Sequence, residues 1–228
     1  MFDNPLAAAE AARAAGMGLM ITAGCSAKDN AESIEVAEVA QGVFAVVGIS
    51  PDFSQSEQER VKDIKGLVKG SSKVVGLGEI GLDAKVAHTI SMEVQREVFK
   101  AQLDVANDLG LPVVIHARGT LDEVERILDE KDSKYALFHF FDGDEEQAKR
   151  LAAKGYLISI PPAETSRRKR IIKNISLSNI VAETDSPVVG KTPADAISVC
   201  KRIAEIKDVS LQEVAEATTE NIRRLFYI

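Results

Sequence analysis

The stretch "VVGLGEIGLD" at residues 74–83 places one ionisable residue, Glu79, inside a run that otherwise has the composition of a buried β-strand. An unpaired carboxylate in such a position costs several kcal/mol. A cation beside Glu79 would remove this cost. The stretch therefore predicts a buried strand and a charged partner for its carboxylate.

Six further short runs, rich in apolar and β-branched residues, resemble this one, and Gly, Pro, Ser or Asp bounds each of them. Longer amphipathic stretches lie between the runs. Residues 92–110 follow a 3.6-residue period that Gly110 can end, and residues 5–15 form a helix with Pro5 in its first turn. This alternation predicts a parallel sheet with crossover helices. The seven predicted strands are 18–24, 43–50, 74–82, 112–118, 135–141, 156–160 and 179–185.

Two α/β architectures have this alternation: an open doubly wound sheet and a closed (β/α)₈ barrel. The first usually has a glycine-rich turn after its first strand, but "ITAGCSAKDN" (21–30) contains only one glycine. Polar residues at or near the carboxyl ends of four strands favour the barrel, whose active sites are built at that rim. These residues are Glu79, His116, His139 and Asp185. With seven strands counted, the sequence predicts a TIM (β/α)₈-type barrel that lacks its first strand, as a single domain over residues 1–228.

Composition narrows the class of protein further. The 228-residue chain is 45% hydrophobic, and its net charge of -7 argues against a protein that coats nucleic acid through a broad basic surface. Cys25 and Cys200 are far apart in the sequence, and no signal-like segment or apolar run of membrane-spanning length is present. We therefore expect a cytoplasmic protein.

Glu79, His116 and His139 lie at or near the carboxyl ends of three consecutive predicted strands, and neighbouring strands are roughly 4.8 Å apart in a sheet. One carboxylate and two imidazoles suit a divalent transition metal with open positions for water or substrate. A single histidine on a strand is more often a core residue, but here two of the chain's three histidines occupy equivalent positions. Asp185 could hold a second metal or take a proton from the attacking water.

Two basic elements are candidates for contact with an anionic substrate. Arg118 follows His116 by two residues, which keeps its guanidinium close to the predicted metal, so it is the candidate for binding phosphate. The run "RRKRIIK" (167–173) predicts a short helix with Ile171 and Ile172 inward, and its charges are interpreted first as a solvated helix face. His88 lies in a predicted loop and is expected to face solvent.

At these residues the sequence resembles the TatD family of metal-dependent hydrolases, best known as deoxyribonucleases with an amidohydrolase-like TIM barrel. The resemblance runs in the family's order from about residue 16 to the C-terminus. It implies that Glu79 bridges two divalent metals, that His116 and His139 complete the shell of one, and that Asp185 binds the other and orients the nucleophilic water. The matching pieces are "VVGLGEIGLD", "EVQREVFKAQLDVANDLGLPVVIHAR", "FHFFDG", "IVAETDSP" and "EVAEATTENIRRLF".

The sequence departs from the family at two places. The family has a His-x-His pair at the end of its first strand, and this chain has none, so Met1 is interpreted as an internal methionine used as the start, with loss of the strand as the alternative. At Ser50 the family usually has a histidine. The first metal position would thus keep only Glu79 and Asp185. We expect one metal bound well at Glu79, His116 and His139, and a second bound weakly or not at all.

The resemblance implies a phosphodiester hydrolase that cleaves DNA, as single strands or at ends, with a water activated by Mg²⁺, Mn²⁺ or Zn²⁺, one or two ions per chain. Two alternatives stay open. One is a barrel hydrolase of a small ester, amide or phosphate, because barrels with a metal at the rim serve many chemistries. The other is a catalytically impaired chain that serves as a metal-binding or interaction module.

Overall fold

The structure is a computed structural model that describes residues 2–228. All seven predicted strands are present, several of them shorter at the ends than predicted, and they follow one another in sequence order across one sheet. The strands are β1 Met20–Ala23, β2 Val43–Val47, β3 Val74–Asp83, β4 Val113–Arg118, β5 Ala136–Phe138, β6 Leu157–Ile160 and β7 Ile180–Ala182.

Helices separate the strands, as a TIM-type α/β fold requires. The helices of the described chain are α1 Pro5–Ala14, α2 Ala27–Val39, α3 Ser54–Glu57, α4 Ile64–Gly70, α5 Met92–Leu109, α6 Leu121–Glu130, α7 Glu145–Ala153, α8 Ser166–Asn174, α9 Ala196–Lys207 and α10 Leu211–Phe226. Among residues 2–228, no helix combines the length and the apolar composition that crossing a bilayer requires.

The helix boundaries have local causes. Helix α1 begins after Asn4, whose side chain accepts a hydrogen bond from the Ala7 amide, and Pro5 occupies its first turn. Helix α5 ends at Gly110, which adopts the left-handed conformation with φ of 65°. Both predicted helices are therefore confirmed, with their ends placed within a residue or so of the prediction.

The chain divides into two compact units. The first unit, Ile21–Leu137, contains β2, β3 and β4, which pair in parallel. Strand β3 is buried along its whole length except at Glu79, which is partly exposed. The core of this unit includes the fully buried side chains Leu77, Ile80, Leu82, Phe99, Leu103 and Ile115.

The second unit consists of the chain up to Met20 together with Phe138–Ile228. Its strands β6 and β7 pair in parallel, with Ser159 opposite Val181. Helix α10 is fastened to β7 by Asn221, whose amide donates to the carbonyl oxygens of Leu177 and Ile180. That the whole of residues 1–228 acts as a single domain stays a prediction.

The basic run is partly unlike its prediction. It forms helix α8, and Ile171 and Ile172 are buried as expected. Four of its cations are exposed, namely Arg167, Lys169, Arg170 and Lys173. Arg168, however, is only 7% exposed, so the interpretation of the run as a uniformly solvated face is wrong at this position.

Candidate metal centre

Glu79 occupies the middle of β3, and its side chain is only 16% exposed. Its backbone amide donates to the carbonyl oxygen of Gly24. Two residues further along β3, Gly81 pairs with His116 on β4. Gly81 has φ of 147°, and a Cβ atom there would overlap the carbonyl oxygen of His116, so only glycine lets the two strands approach so closely. This close approach brings the His116 ring beside β3.

His116 is oriented by Asp83, the last residue of β3. Its Nε2 lies 3.0 Å from Asp83 Oδ2, and its Nδ1 lies 3.9 Å from Glu79 Oε2. Burial opposes ionisation of Asp83, but hydrogen bonds from His116 and from the Lys85 amide outweigh it and lower the pKa of Asp83 below its ordinary value. An ionised Asp83 accepts a hydrogen bond from Nε2–H, which keeps the proton on Nε2 and leaves the lone pair of Nδ1 directed toward the Glu79 side.

His139 has an equivalent carboxylate partner. It follows β5 directly, and its Nδ1 lies 2.9 Å from Glu183 Oε2, just beyond β7. The other carboxylate oxygen of Glu183, Oε1, is buried and has no hydrogen-bond partner in the described part of the chain. A carboxylate that holds one nitrogen of a histidine leaves the other nitrogen, here Nε2, to bind a metal.

Glu79, His116 and His139 form a possible metal site. Each offers one ligand atom, and these atoms lie within 4.8 Å of one another. The donor set fits a divalent ion, because two imidazoles and a carboxylate are ordinary ligands of zinc and of related transition metals. The fit extends beyond the ligands, since each histidine is held by a carboxylate through its second nitrogen.

The other residues singled out from the sequence take different positions. Asp185 lies three residues beyond β7 and is not part of the group formed by Glu79, His116 and His139. Its φ of 48° is a left-handed conformation, which Asp tolerates better than most residues. Arg118 is the last residue of β4 and is exposed. Ser50 is buried, and its amide donates to the carbonyl oxygen of Cys25. His88 is exposed, as expected, with Nδ1 beside the carbonyl oxygen of Lys85.

Sequence reasoning gave no role to Asp83 or to Glu183. A signal for Asp83 was present, because alternate residues of a strand share a face, and Glu79, Gly81 and Asp83 are alternate. Glu183 sits in the loop after β7, where side-chain direction follows no simple period. Only the folded chain shows that it contacts His139.

Buried amide side chains hold the backbone at the ends of β2 and β3. Asn30 bonds to both the amide and the carbonyl of Gly48, and Gln102 does the same for Ile49. Gln95 accepts from the Asp83 amide at 2.8 Å and donates to the carbonyl oxygens of Asp83 and Ile90. These amides replace the ladder partners that the backbone lacks where the strands end. No sequence pattern indicated these contacts.

Replacing Gln95 with leucine is expected to lower the free energy of unfolding by about 2–4 kcal/mol, because backbone groups of Asp83 and Ile90 lose their partners in a buried place. Chemical denaturation would measure the change. Gln212→Leu, on the exposed face of α10, is the matched control and should change stability by no more than about 0.5 kcal/mol. Equal effects of the two substitutions would contradict the role of Gln95.

Replacing Asp83 with asparagine is expected to weaken metal binding by about 10- to 100-fold, because the neutral amide no longer fixes the proton of His116 on Nε2. Isothermal titration with Zn²⁺ or Mn²⁺ would measure the affinity. Asp108→Asn is the matched control, since Asp108 is exposed and forms a surface ion pair with Lys65. An affinity unchanged in Asp83→Asn would show that His116 is positioned by other contacts.

The fold and this site define a class, that of metal-dependent hydrolases built on a TIM-type α/β fold. The family model described as "TatD related DNase" matches residues 2–227. Human "Deoxyribonuclease TATDN3" is 32% identical over 198 residues, which cover 81% of this chain and 72% of that protein. The "Uncharacterized metal-dependent hydrolase YabD" of Bacillus subtilis is 30% identical over 234 residues, 96% of this chain and 91% of that one.

Among solved structures, the TatD homolog YjjV of Escherichia coli K12 superposes with a TM-score of 0.87 at 27% identity, covering 97% of this chain and 91% of that one. The chain therefore belongs to the TatD family of metal-dependent hydrolases. The family resemblance and the TIM-type fold inferred from the sequence are both confirmed.

Proposed function

We propose that this metal-dependent hydrolase is a deoxyribonuclease that cleaves phosphodiester bonds of DNA, in single strands or at ends. The observation that carries the proposal is the group formed by Glu79, His116 and His139, whose ligand atoms are within 4.8 Å of one another. The similarity to a human protein named as a deoxyribonuclease supports the choice of substrate.

In this proposal Glu79, His116 and His139 hold one divalent ion, Mg²⁺, Mn²⁺ or Zn²⁺. When bound, such an ion supplies positive charge for the phosphoryl oxygens and lowers the pKa of a water that can act as nucleophile. Asp83 and Glu183 keep the two imidazoles oriented, so that the ligand set needs little reorganisation when the ion binds.

Asp185 and Arg118 complete the proposed machinery. The Asp185 carboxylate accepts a proton from the attacking water or contributes to a second, weaker metal position. Arg118 is exposed at the end of β4, two residues after His116, and its guanidinium can pair with a phosphate of the substrate. A cytoplasmic location is also part of the proposal, in keeping with a chain that has two cysteines far apart in the sequence, Cys25 and Cys200.

The test is a cleavage assay on end-labelled single-stranded and duplex DNA, with the full chain first stripped of metal by a chelator. We expect cleavage only after Mg²⁺, Mn²⁺ or Zn²⁺ is added. The rate should fall as salt rises, because binding to a polyanion releases counterions, whereas hydrolysis of a neutral ester should hardly depend on salt. Absence of DNA cleavage with every metal, or a salt-independent preference for the neutral ester, would overturn the proposal.

A metal titration followed by calorimetry tests the ligand assignment separately. We expect one ion per chain bound tightly, by Glu79, His116 and His139, and any second ion bound more weakly, since fewer protein ligands are assigned to it. Two ions of equal affinity would show that the second position has further protein ligands.

A further inference from the structure

A second polar site lies within the unit that contains His139. A cavity of about 400 Å³ opens between the loop after β6, the start of α8 and the side of α9. Three cations line it, Arg168 and Lys169 from α8 and Arg202 from α9. The proposed metal ligands are not among its lining residues.

Arg168 is the most unusual group in this cavity. It is 7% exposed, its Nη1 donates to the carbonyl oxygen of Ala163 at 2.7 Å, and its buried Nε has no hydrogen-bond partner in the described structure. No carboxylate of the described residues forms an ion pair with it. Because a buried charge is costly without a counterion, this guanidinium indicates a ligand that supplies negative charge.

The surroundings of Arg168 favour an anion. Burial is the main cause that lowers the pKa of Arg168, the carboxylate of Asp142 raises it, the neighbouring cation Arg202 lowers it, and Glu183 raises it to a smaller extent. Arg202 itself donates to the carbonyl oxygens of Pro161 and Pro162, which holds its charge in place. Two guanidinium groups kept close together are typical of sites that bind oxyanions.

Helix α8 adds to this preference. It has nine residues, and its first turn contains no acidic residue but begins Ser166, Arg167, Arg168. Cations near a helix N-terminus oppose the helix dipole, whereas an anion there is stabilised by the dipole and by the first-turn amides other than that of Arg168, which donates to the Thr165 hydroxyl. Without a ligand, the cations at this N-terminus lower the stability of the helix. When a negatively charged group binds beside them, the arrangement becomes favourable.

Two carboxylates also line the cavity, Glu164 and Glu205. Glu164 is largely exposed and lies 3.6 Å from Arg202, so it partly neutralises that cation from the solvent side. Three cations against two carboxylates leave a net charge of about +1 in the cavity, in addition to the helix dipole. The site therefore suits one small anionic group better than an extended acidic surface.

We propose that this cavity binds a phosphate group of the DNA chain, at a position other than the bond that is cleaved. The link to the metal centre is Phe140, which follows His139 directly and whose ring centroid lies 5.5 Å from the guanidinium carbon of Arg168. The choice of DNA as the source of the phosphate rests on the proposed function. The cavity's preference for a phosphate does not.

The phosphate preference is tested with inorganic phosphate titrated into the full chain without divalent metal, with the Arg168 Nε–H resonance followed by NMR. Substituting Arg168 would also remove its bond to Ala163, so Lys169→Gln is the test variant. Lys173→Gln, an exposed cation of the same helix outside the cavity, is the matched control. We expect the resonance to shift in wild type and control, with the dissociation constant raised about five- to tenfold in Lys169→Gln. No shift of the resonance would show that phosphate does not bind near Arg168. Equal dissociation constants in all three proteins would indicate an adventitious ion only. Either result would overturn the proposed site.

The source of the phosphate is tested with a fluorescent single-stranded oligonucleotide in metal-free buffer. The quantity measured is the slope of the logarithm of the binding constant against the logarithm of the salt concentration. We expect Lys169→Gln to reduce the magnitude of this slope by about 0.7, the value for one phosphate contact on a single strand, and Lys173→Gln to leave it unchanged. If phosphate binds but the slope is the same in both variants, the ligand is a free phosphate compound and the DNA assignment is wrong. Phosphate binding to a chain that cleaves no DNA would refute the proposed function while retaining the site.

Discussion

Replacing Glu79 with glutamine is expected to lower kcat/KM for DNA by about three orders of magnitude and to abolish tight metal binding. Glutamine keeps the size of the side chain but removes the negative charge that a divalent ion needs. Losing several kcal/mol of charge stabilisation in the transition state corresponds to a reduction of about this size. Cleavage of labelled DNA at saturating Mn²⁺, together with a metal titration, would measure both effects.

The chain offers a matched control among its histidines. His116→Gln should produce a loss similar to that of Glu79→Gln, because His116 is a proposed ligand of the same ion. His88→Gln should retain full activity, since His88 is exposed and its ring lies beside the backbone oxygen of Lys85. Equal activity of His116→Gln and His88→Gln would place the chemistry elsewhere in the molecule.

Replacing Gly81 with alanine is expected to lower the free energy of unfolding by about 3–5 kcal/mol. A Cβ atom at this position would overlap the carbonyl oxygen of His116, and φ of 147° is a conformation that alanine rarely adopts. Strands β3 and β4 would have to separate, which also moves His116 away from Glu79. Chemical denaturation of the metal-free protein measures the stability without contribution from metal binding.

Gly66→Ala is the matched control for this substitution. Gly66 lies within α4, and a Cβ atom there would meet no atom within 4 Å. Because alanine favours the helical backbone more than glycine does, this variant should be more stable than the parent by up to about 1 kcal/mol. If Gly81→Ala is as stable as Gly66→Ala, then β3 and β4 can be further apart than the structure places them.

Much of the fold could be predicted because strand and helix patterns are local. Strand β3 was recognisable from its continuous apolar run, and α5 from its 3.6-residue period and its terminal glycine. Strand ends were less accurate. Residues 179–185 were predicted as a strand but only Ile180–Ala182 pair, because the following loop turns at Asp185 with a positive φ.

The candidate ligands were predictable for a topological reason. Parallel strands present their carboxyl ends at one edge, so polar residues at the ends of successive strands are expected to converge. Glu79, His116 and His139 do converge, although Glu79 lies in the middle of β3 and not at its end. Arg168 was not predictable, because a basic run carries no signal that distinguishes the one buried guanidinium from its exposed neighbours.

The sequence by itself determined the alternation of strands and helices, the family, and the residue types available to bind a metal, because each depends on composition and spacing along the chain. The tertiary structure alone decided which carboxylate holds which imidazole: Asp83 for His116, and Glu183 for His139. It also decided that Arg168 is buried beside a cavity. These contacts join residues that are far apart in sequence, and their geometry depends on the packing of several elements, which no local pattern records.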